Sequence, residues 1–476
     1  MVAVASLCAA GLSACSSRST TAERAQKTST THAGTRSETT SARPTTSAPA
    51  TQTAWTTYGG NFARTSVDTG NPVVQHAPVA AWTSVAPDGS VYGEPLIYGH
   101  GVFIATENDT VYGFSATSGS PLWPPDHLAT PAPASSLPCG DIRPTVGITS
   151  TMVIDPSTGV LFASAETFSK GAVGHYLFAI DSSTGKVLWS RDVDQSWSSA
   201  TELQRAGLGL SDGNVLVGFG GNYGDCGDYN GWILAVPESG GAGIFHYRVP
   251  TARQGAIWAP GGVTVDSSGN VFVATGNGSA GPGQGFDHGD SVIELSPQLV
   301  ELQYFAPTNW AQDNVDDADL GSSAPVLLGS GELFVIGKQA TAYLLNVASL
   351  GGISGGAASL GVCSSIGASA YLSPHVYVVC NSQGSIAQVL LGPGSTLHRG
   401  WTWESPTGAT SSPTIAGGVL WTIDPGASTL YGVDPSSGTT RFSVALHVGA
   451  LAHFVAPSAA EDMLVVAGAG GVEAFH

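Results

Sequence analysis

A phrase of thirteen residues recurs along this chain with nearly the same order of apolar, turn-forming and aromatic positions. It reads LFAIDSSTGKVLW at residues 177–189, VYGFSATSGSPLW at 111–123 and LYGVDPSSGTTRF at 430–442, with fainter copies at 233–245 and 292–305. Each copy predicts a strand, a tight turn closed by Gly, and a second strand that ends on a bulky aromatic. A chain with this recurrent pattern is expected to fold into repeated β-sheet units.

The phrases belong to longer units, each of which predicts four short strands. Comparable units begin near Gly93, Ile148, Leu208, Gly261, Ser322, Ala368, Ser412 and Phe454. Their spacing of about 40 to 60 residues is that of the four-stranded blades of a β-propeller. The 63 Gly and 28 Pro of the chain fit a fold made of many turns and few helices.

The last unit, residues 454–476, supplies only three strands. The segment VAAWTSV at residues 79–85 supplies a fourth, because it precedes the first full unit and carries Trp82 at the blade-ending position. Pairing these two segments removes an exposed sheet edge. The sequence therefore predicts an all-β, eight-bladed β-propeller of four-stranded antiparallel blades, with the last blade closed by the N-terminal strand. A stack of β-sandwiches is the alternative, which so regular a period disfavours.

The first 53 residues differ in composition from the rest. Residues 1–15, MVAVASLCAAGLSAC, are small and apolar, and their end resembles the bacterial lipobox, in which the cysteine, here Cys15, carries the lipid. An ordinary secretory signal with an incidental cysteine is the alternative. Residues 16–53 are mostly Ser, Thr, Ala and Pro, which predicts a disordered tether. We therefore expect an exported, extracytoplasmic protein anchored by lipid to the membrane, with the propeller at residues 54–476.

Four cysteines remain beyond Cys8 and Cys15, and export to an oxidising compartment favours disulfides. Cys363 and Cys380 bracket a predicted hairpin, so a local bridge between them is preferred. Cys139 would then pair with Cys226. Metal ligation is the competing interpretation, but the chain contains no C-x-x-C spacing.

Charge and short motifs exclude several functions. The net charge of −19 argues against a nucleic-acid partner, which requires clustered Lys and Arg. Residues 276–281 match a dinucleotide-binding glycine pattern, but the sequence that follows cannot open a helix. Residues 352–356 match the G-x-S-x-G nucleophile pattern without its strand and helix. A hydrolase or lyase therefore has no supporting motif.

Three segments carry a family resemblance. AWTTYGGNFART at residues 54–65, DSSTGKVLW at 181–189 and DPSSG at 434–438 resemble the repeats of the pyrroloquinoline quinone (PQQ) β-propeller superfamily. The resemblance spans about residues 54–476. This superfamily holds both quinoprotein dehydrogenases and non-catalytic scaffold lipoproteins, so the resemblance implies the fold more strongly than the activity.

The resemblance to quinoprotein dehydrogenases implies a site for PQQ and calcium over the propeller axis. Asn277 would be a calcium and cofactor ligand, and Lys338 the cationic group at the quinone. Asp317 or Asp319 would be the catalytic base that takes the alcohol proton. The carboxylate ligand of the calcium ion would be Asp225 or Asp228. The vicinal cysteine pair of many such enzymes is absent, and no basic cluster for the PQQ carboxylates is evident.

The sequence thus supports two functions. The first is a membrane-tethered propeller that binds a protein or small-molecule partner on one of its faces without chemical turnover. The alternative is a PQQ- and calcium-dependent dehydrogenase that oxidises an alcohol or a sugar.

Overall fold

Eight small antiparallel sheets form an eight-bladed β-propeller in the computed structural model, which describes residues 54–356 and 358–476. The predicted architecture is confirmed. The predicted signal segment with Cys15 and the predicted tether lie outside the described residues. No helix within the described residues has the length and hydropathy needed to cross a membrane.

The first four blades each contain a four-stranded antiparallel path. Blade 1 contains strands Leu96–Tyr98, Gly101–Ala105, Thr110–Ser115 and Asp126–His127. Blade 2 contains Val153–Asp155, Val160–Ser169, Ala172–Asp181 and Val187–Asp192. Blade 3 contains Gly209–Ser211, Asn214–Gly221, Trp232–Pro237 and Phe245–Arg248, with Glu202–Leu203 paired to its second strand. Blade 4 contains Thr264–Val265, Val271–Ala274, Val292–Leu295 and Glu301–Ala306.

The last four blades repeat this pattern. Blade 5 contains Val326–Leu328, Glu332–Val335, Thr341–Asn346 and Ala358–Gly361. Blade 6 contains Ala370–Leu372, His375–Cys380, Ser385–Gly392 and Thr396–Glu404. Blade 7 contains Thr414–Ala416, Val419–Asp424, Thr429–Val433 and Thr440–Ala445. Blade 8 contains Ser458–Ala460, Met463–Gly468 and Gly471–Phe475, and its outer strand is Ala80–Thr83.

A few further elements lie outside these paths. Short parallel strands Gly352–Ile353 and Val67–Asp68 extend blades 4 and 7, and Ala132–Pro133 pairs with Thr145–Val146. In the described part of the chain one α-helix, Trp310–Asp316, precedes blade 5. The 3-10 helices are Tyr58–Gly60, Ala134–Ser136, Ser199–Thr201, Leu320–Ser322 and Asn381–Gln383.

The recurrent phrase encodes a contact between neighbouring blades. In blade 2 the turn Gly185 has φ +73°, a left-handed conformation that glycine adopts without strain, and an added Cβ would collide with the ring of Trp123 from blade 1. The Trp123 indole Nε1 in turn donates to the carbonyl of Ser182 in the same turn at 3.1 Å. The Trp of one blade and the turn Gly of the next blade therefore form one interface.

The same contact recurs around the ring. Trp189 of blade 2 packs on Gly240 of blade 3, and Trp401 of blade 6 packs on Gly438 of blade 7. Each indole Nε1 donates to a backbone carbonyl of the neighbouring turn at 3.1 Å. Because one blade's aromatic needs the next blade's Gly, the two positions recur together in the sequence.

The ring closes as the sequence predicts. Trp82 of the N-terminal strand is the register partner of Ala474, and Ala474 is also paired with Val465. Trp82 is 8% exposed, and its Nε1 donates to the carbonyl of Ala116 in blade 1 at 2.7 Å. The N-terminal strand therefore completes blade 8 and joins it to blade 1.

Residues 55–71 form a second closure, which we call the axial plug. Going along the plug, its backbone and side chains hydrogen-bond in turn to blades 1 through 8 at or beside their first strands. The blade residues contacted are Ile97, Ile154, Leu208, Val265, Leu327, Tyr371, Ile415 and Asp462. Residues 54–65, one of the segments that carried the family resemblance, supply the contacts to blades 1 through 6, and residues 66–71 supply those to blades 7 and 8.

Arg64 is the centre of the axial plug and is fully buried. Its guanidinium donates to the carbonyls of Val263, Tyr58 and Leu208 at 2.7, 2.8 and 3.1 Å, and to the Thr57 hydroxyl at 2.6 Å. Every nitrogen of the side chain is therefore satisfied, which is the condition for burying a charged group at acceptable free energy.

Both predicted disulfides are confirmed. Cys139–Cys226 joins the connection between blades 1 and 2 to a loop of blade 3, and Cys363–Cys380 joins the connection before blade 6 to its second strand.

Candidate functional site

The predicted site residues share one end of the ring. In each blade the first strand begins, and the second and third strands connect, at the same end, because the strands are antiparallel. We call this the upper end. The axial plug ends near the opposite end of the ring. There Asn71, and Val74 just beyond the plug, contact the turns between the first and second strands of blades 8 and 7.

Four of the six predicted residues converge in one hydrogen-bonded network. The Lys338 ammonium lies 2.6 Å from Asp319 Oδ2 and 3.0 Å from Asp317 Oδ1. The Asn277 backbone N–H donates to Asp319 Oδ1 at 2.8 Å, and the Asn277 side-chain amide donates to Asp317 Oδ1 at 2.8 Å. Loops of blades 4 and 5 therefore meet at this point.

Local backbone geometry holds the two aspartates. Asp317 ends the α-helix in the left-handed conformation, with φ 55° and ψ 45°. Asp319 lies between Gly276 and Gly337, and an added Cβ at either glycine would collide with it. The glycines of the two loops are thus needed for the close approach of Asp319.

The network separates the two acids by burial. The Asp319 side chain is 8% exposed and that of Asp317 is 70% exposed. Burial raises the pKa of Asp319, against the opposing effect of the Lys338 ammonium. Burial alone would lower the pKa of Lys338, but Asp319 and Asp317 outweigh it and raise the pKa.

Asp225 and Asp228 do not join the network. Asp225 Oδ1 accepts a hydrogen bond from the Tyr229 hydroxyl at 2.5 Å, and Asp228 is exposed. The hydrogen bonds of the described residues connect neither carboxylate to Asn277.

The residues present do not fit a calcium ion. Calcium takes six to eight oxygen ligands. Asn277 Oδ1 is buried without a hydrogen-bond partner, which suits a ligand, but both neighbouring carboxylates are bound to Lys338. Within residues 54–356 and 358–476 no group of three or more His, Cys, Asp or Glu side chains has an arrangement that would hold a metal ion.

Sequence reasoning missed residues around the network. The Lys338 ammonium lies 5.7 Å from the centre of the Trp258 ring. Asp290 is fully buried and accepts a hydrogen bond from the Leu320 N–H at 2.8 Å. Trp258 was detectable as a tryptophan away from the blade-ending position of the phrase, whereas nothing in the sequence marks Asp290.

A second group of buried carboxyls lies at the upper end in blades 1 and 2. Glu107 accepts hydrogen bonds from the Gly147 N–H at 2.7 Å and the Thr149 hydroxyl at 3.1 Å. Burial raises the pKa of Glu107 to about 7. Both oxygens of Asp109 are buried without a partner, and burial raises its pKa to about 9. Near neutral pH, Asp109 is therefore held largely as a neutral acid, whereas Glu107 is only partly protonated.

Comparisons with known proteins concern the fold of the chain. The family model described as outer membrane protein assembly factor BamB matches residues 27–207. No curated protein matches the sequence.

Several solved structures share the fold. Quinohemoprotein alcohol dehydrogenase from Pseudomonas putida HK5 is 12% identical, with a TM-score of 0.67 over 89% of this chain and 79% of that one. The enzyme from Comamonas testosteroni is 14% identical, with a TM-score of 0.66 over 89% and 80%. BamB from Moraxella catarrhalis is 14% identical, with a TM-score of 0.53 over 84% and 96%. Identities this low establish fold and not activity. Its eight repeated blades thus give the chain the same fold as quinoprotein dehydrogenases and BamB, and residues 27–207 match the BamB family model.

Proposed function

We propose that this protein is an extracytoplasmic binding or scaffold propeller, tethered to the membrane through lipidated Cys15, that takes up a ligand or partner without chemical turnover. The observation that carries the proposal is the closed network at the upper end. Lys338 contacts Asp317 and Asp319, and Asn277 donates to both acids.

A general base must be able to approach the proton that it removes. Asp319 is almost fully buried, and both of its oxygens are engaged. Asp317 is exposed, but the same oxygen accepts from both Lys338 and Asn277. In this arrangement Lys338, Asn277 and the two aspartates hold the loops of blades 4 and 5 together. A ligand would contact the surface that these loops form at the upper end of the ring.

The location rests on the disulfides. Cys139–Cys226 and Cys363–Cys380 are typical of a protein from an oxidising, extracytoplasmic compartment. The apolar segment that ends at Cys15 supports the lipid anchor. Replacing Cys15 with Ser should move the protein from the membrane fraction to the soluble extracytoplasmic fraction, and unchanged membrane retention would contradict the anchor.

A PQQ-dependent dehydrogenase is the second candidate, because Asn277, Lys338 and Asp319 converge beside Trp258. When bound, PQQ would supply a two-electron acceptor for alcohol or sugar oxidation. The lack of fit to calcium counts against this function.

One experiment separates the two candidates. The purified chain is incubated with PQQ and calcium chloride, and melting temperature and reduction of an artificial electron acceptor are measured with a panel of alcohols and sugars. We expect neither a PQQ-dependent shift nor dye reduction. Dye reduction that disappears in Asp319→Asn but persists in Asp317→Asn would overturn the binding function and identify Asp319 as the base.

A further inference from the structure

Arg205 at the upper end is a cation without an anionic partner. Its guanidinium forms no ion pair and donates no hydrogen bond to the residues that the structure describes, and its Nε is buried without a partner. The two Nη atoms also lack partners but are not buried. An unpaired guanidinium that is partly buried at a protein surface is expected to find an acceptor.

Two aromatic rings hold this guanidinium. Its central carbon lies 4.7 Å from the centre of the Phe454 ring and 5.9 Å from that of Tyr92. Contacts of a guanidinium with ring faces leave its N–H edge free for bidentate hydrogen bonds. Phe454 has φ +64°, a strained conformation for a bulky residue, which indicates that the position of its ring is enforced.

The backbone of Arg205 is also fixed. The side chain of the preceding Gln204 is buried, and its Nε2 donates to the carbonyls of Ala206 at 2.8 Å and Gly218 at 3.2 Å. The hydroxyl of Ser150 in blade 2 donates to Gln204 Oε1 at 2.5 Å. Arg205 is therefore presented from a rigid base.

The three side chains occupy equivalent positions in the propeller. Tyr92, Arg205 and Phe454 each stand four residues before the first strand of their blades, which are blades 1, 3 and 8. The other five blades have Thr twice, Pro, Ser and Ile at this position. The large side chains are thus concentrated on one side of the upper end, away from blade 5, which carries Lys338.

We propose that Arg205 binds the carboxylate of a small ligand at the upper end of the axis, with Tyr92 and Phe454 contacting the ligand's apolar part. A guanidinium edge matches a carboxylate in a bidentate fashion. Asp141 and Glu107 interact electrostatically with Arg205 without forming an ion pair, and they offset part of its positive charge. A monoanion is therefore favoured over a dianion such as phosphate.

This inference rests on the proposed function, because it names the ligand class that the binding propeller would take. The proposed function and the Arg205 site can be refuted independently of each other. Dye reduction by the PQQ-loaded chain would end the proposed function, whereas the Arg205 site is judged by ligand binding alone, in the absence of PQQ.

The test uses the full purified chain and ligand-observed NMR titrations. The probe is benzoate, with neutral benzamide of the same shape as the matched ligand. Arg205→Met and Arg205→Lys are compared with Arg441→Met, which removes an arginine lying 5.1 Å from the Phe442 ring on the outer strand of blade 7.

We expect saturable benzoate binding that Arg205→Met weakens by about tenfold to 100-fold, as for loss of charge-assisted hydrogen bonds. Arg205→Lys should weaken it less, and Arg441→Met should leave it unchanged. Benzamide binding as tight as benzoate, no saturable benzoate binding, or equal effects of the Arg205→Met and Arg441→Met variants would overturn the proposal. Displacement of benzoate by lower concentrations of inorganic phosphate would overturn the choice of a carboxylate.

Discussion

Replacing Lys338 with Met tests whether its ammonium is the cation that holds the loops of blades 4 and 5 together. The ion pair with Asp317 is solvent-exposed and should contribute at most about 1 kcal/mol. The pair with Asp319 is largely buried, so its loss leaves an uncompensated carboxylate and costs about 2–3 kcal/mol, below the range for fully buried pairs. Met retains most of the aliphatic stem, so the measured loss reports the charge.

The pH dependence has a defined sign. Because burial raises the folded-state pKa of Asp319, the stability it contributes is present below its unfolded pKa and is lost as pH rises through its folded pKa. Without the Lys338 ammonium the folded pKa rises further. The destabilisation by Lys338→Met should therefore be small at about pH 4, near the unfolded aspartate pKa, and should grow toward pH 8.

The assay is calorimetric and urea unfolding of the wild-type and variant chains at several pH values. In a protein of this size about 1 kcal/mol corresponds to about 1 °C, so a loss of about 3 °C is expected at pH 8. The stability lost in the Asp319→Asn and Lys338→Met double variant should be smaller than the sum of the two single losses by at least about 1 kcal/mol. Additive losses, or a loss independent of pH, would refute the reasoning.

Three further predictions concern stability. Asp109→Asn should raise the free energy of unfolding by about 1 kcal/mol or more at pH 8 and by little at pH 4, because burial raises the Asp109 pKa to about 9; urea unfolding showing equal effects at both pH values would contradict this. Chain entropy predicts that replacing both cysteines of Cys139–Cys226, 87 residues apart, by Ala costs about 4–5 kcal/mol, against about 3 kcal/mol for Cys363–Cys380, 17 apart. Calorimetry that finds the reverse order would argue against that account. Trp82→Ala should cost about 3–5 kcal/mol and the exposed Leu122→Ala less than about 0.5 kcal/mol; similar losses in thermal unfolding would argue against closure through Trp82.

The fold was predictable because every phrase carries both residue types that make the contacts between blades. The turn Gly and the terminal aromatic of a phrase lie within one hairpin, so their spacing shows directly in the chain. Gly185 and Trp189, for example, belong to one phrase, although each contacts a different neighbouring blade. The axial plug was not predictable as a plug, because its partners are backbone groups that leave no mark on composition.

The candidate site was predicted in part. The resemblance brought Asn277, Lys338 and the two aspartates together, but it did not distinguish the buried Asp319 from the exposed Asp317. That difference follows from a helix that ends at Asp317 in the left-handed conformation. The position of Asp225 depends on its local hydrogen bond to Tyr229, within a loop whose path a strand pattern does not specify.

The axial plug sets the order in which the molecule becomes complete. Ribosomes deliver residues 55–71 before any blade exists, yet the acceptors and donors that these residues require are spread over the whole of the later chain. Early blades can stack on each other while synthesis continues, but Arg64 has no place to bury its charge until blades 3 and 4 are assembled. A chain cut short before blade 8 would lack both the Asp462 N–H that Asn71 accepts from and the strand partner of Trp82 at Ala474, so its ring would stay open.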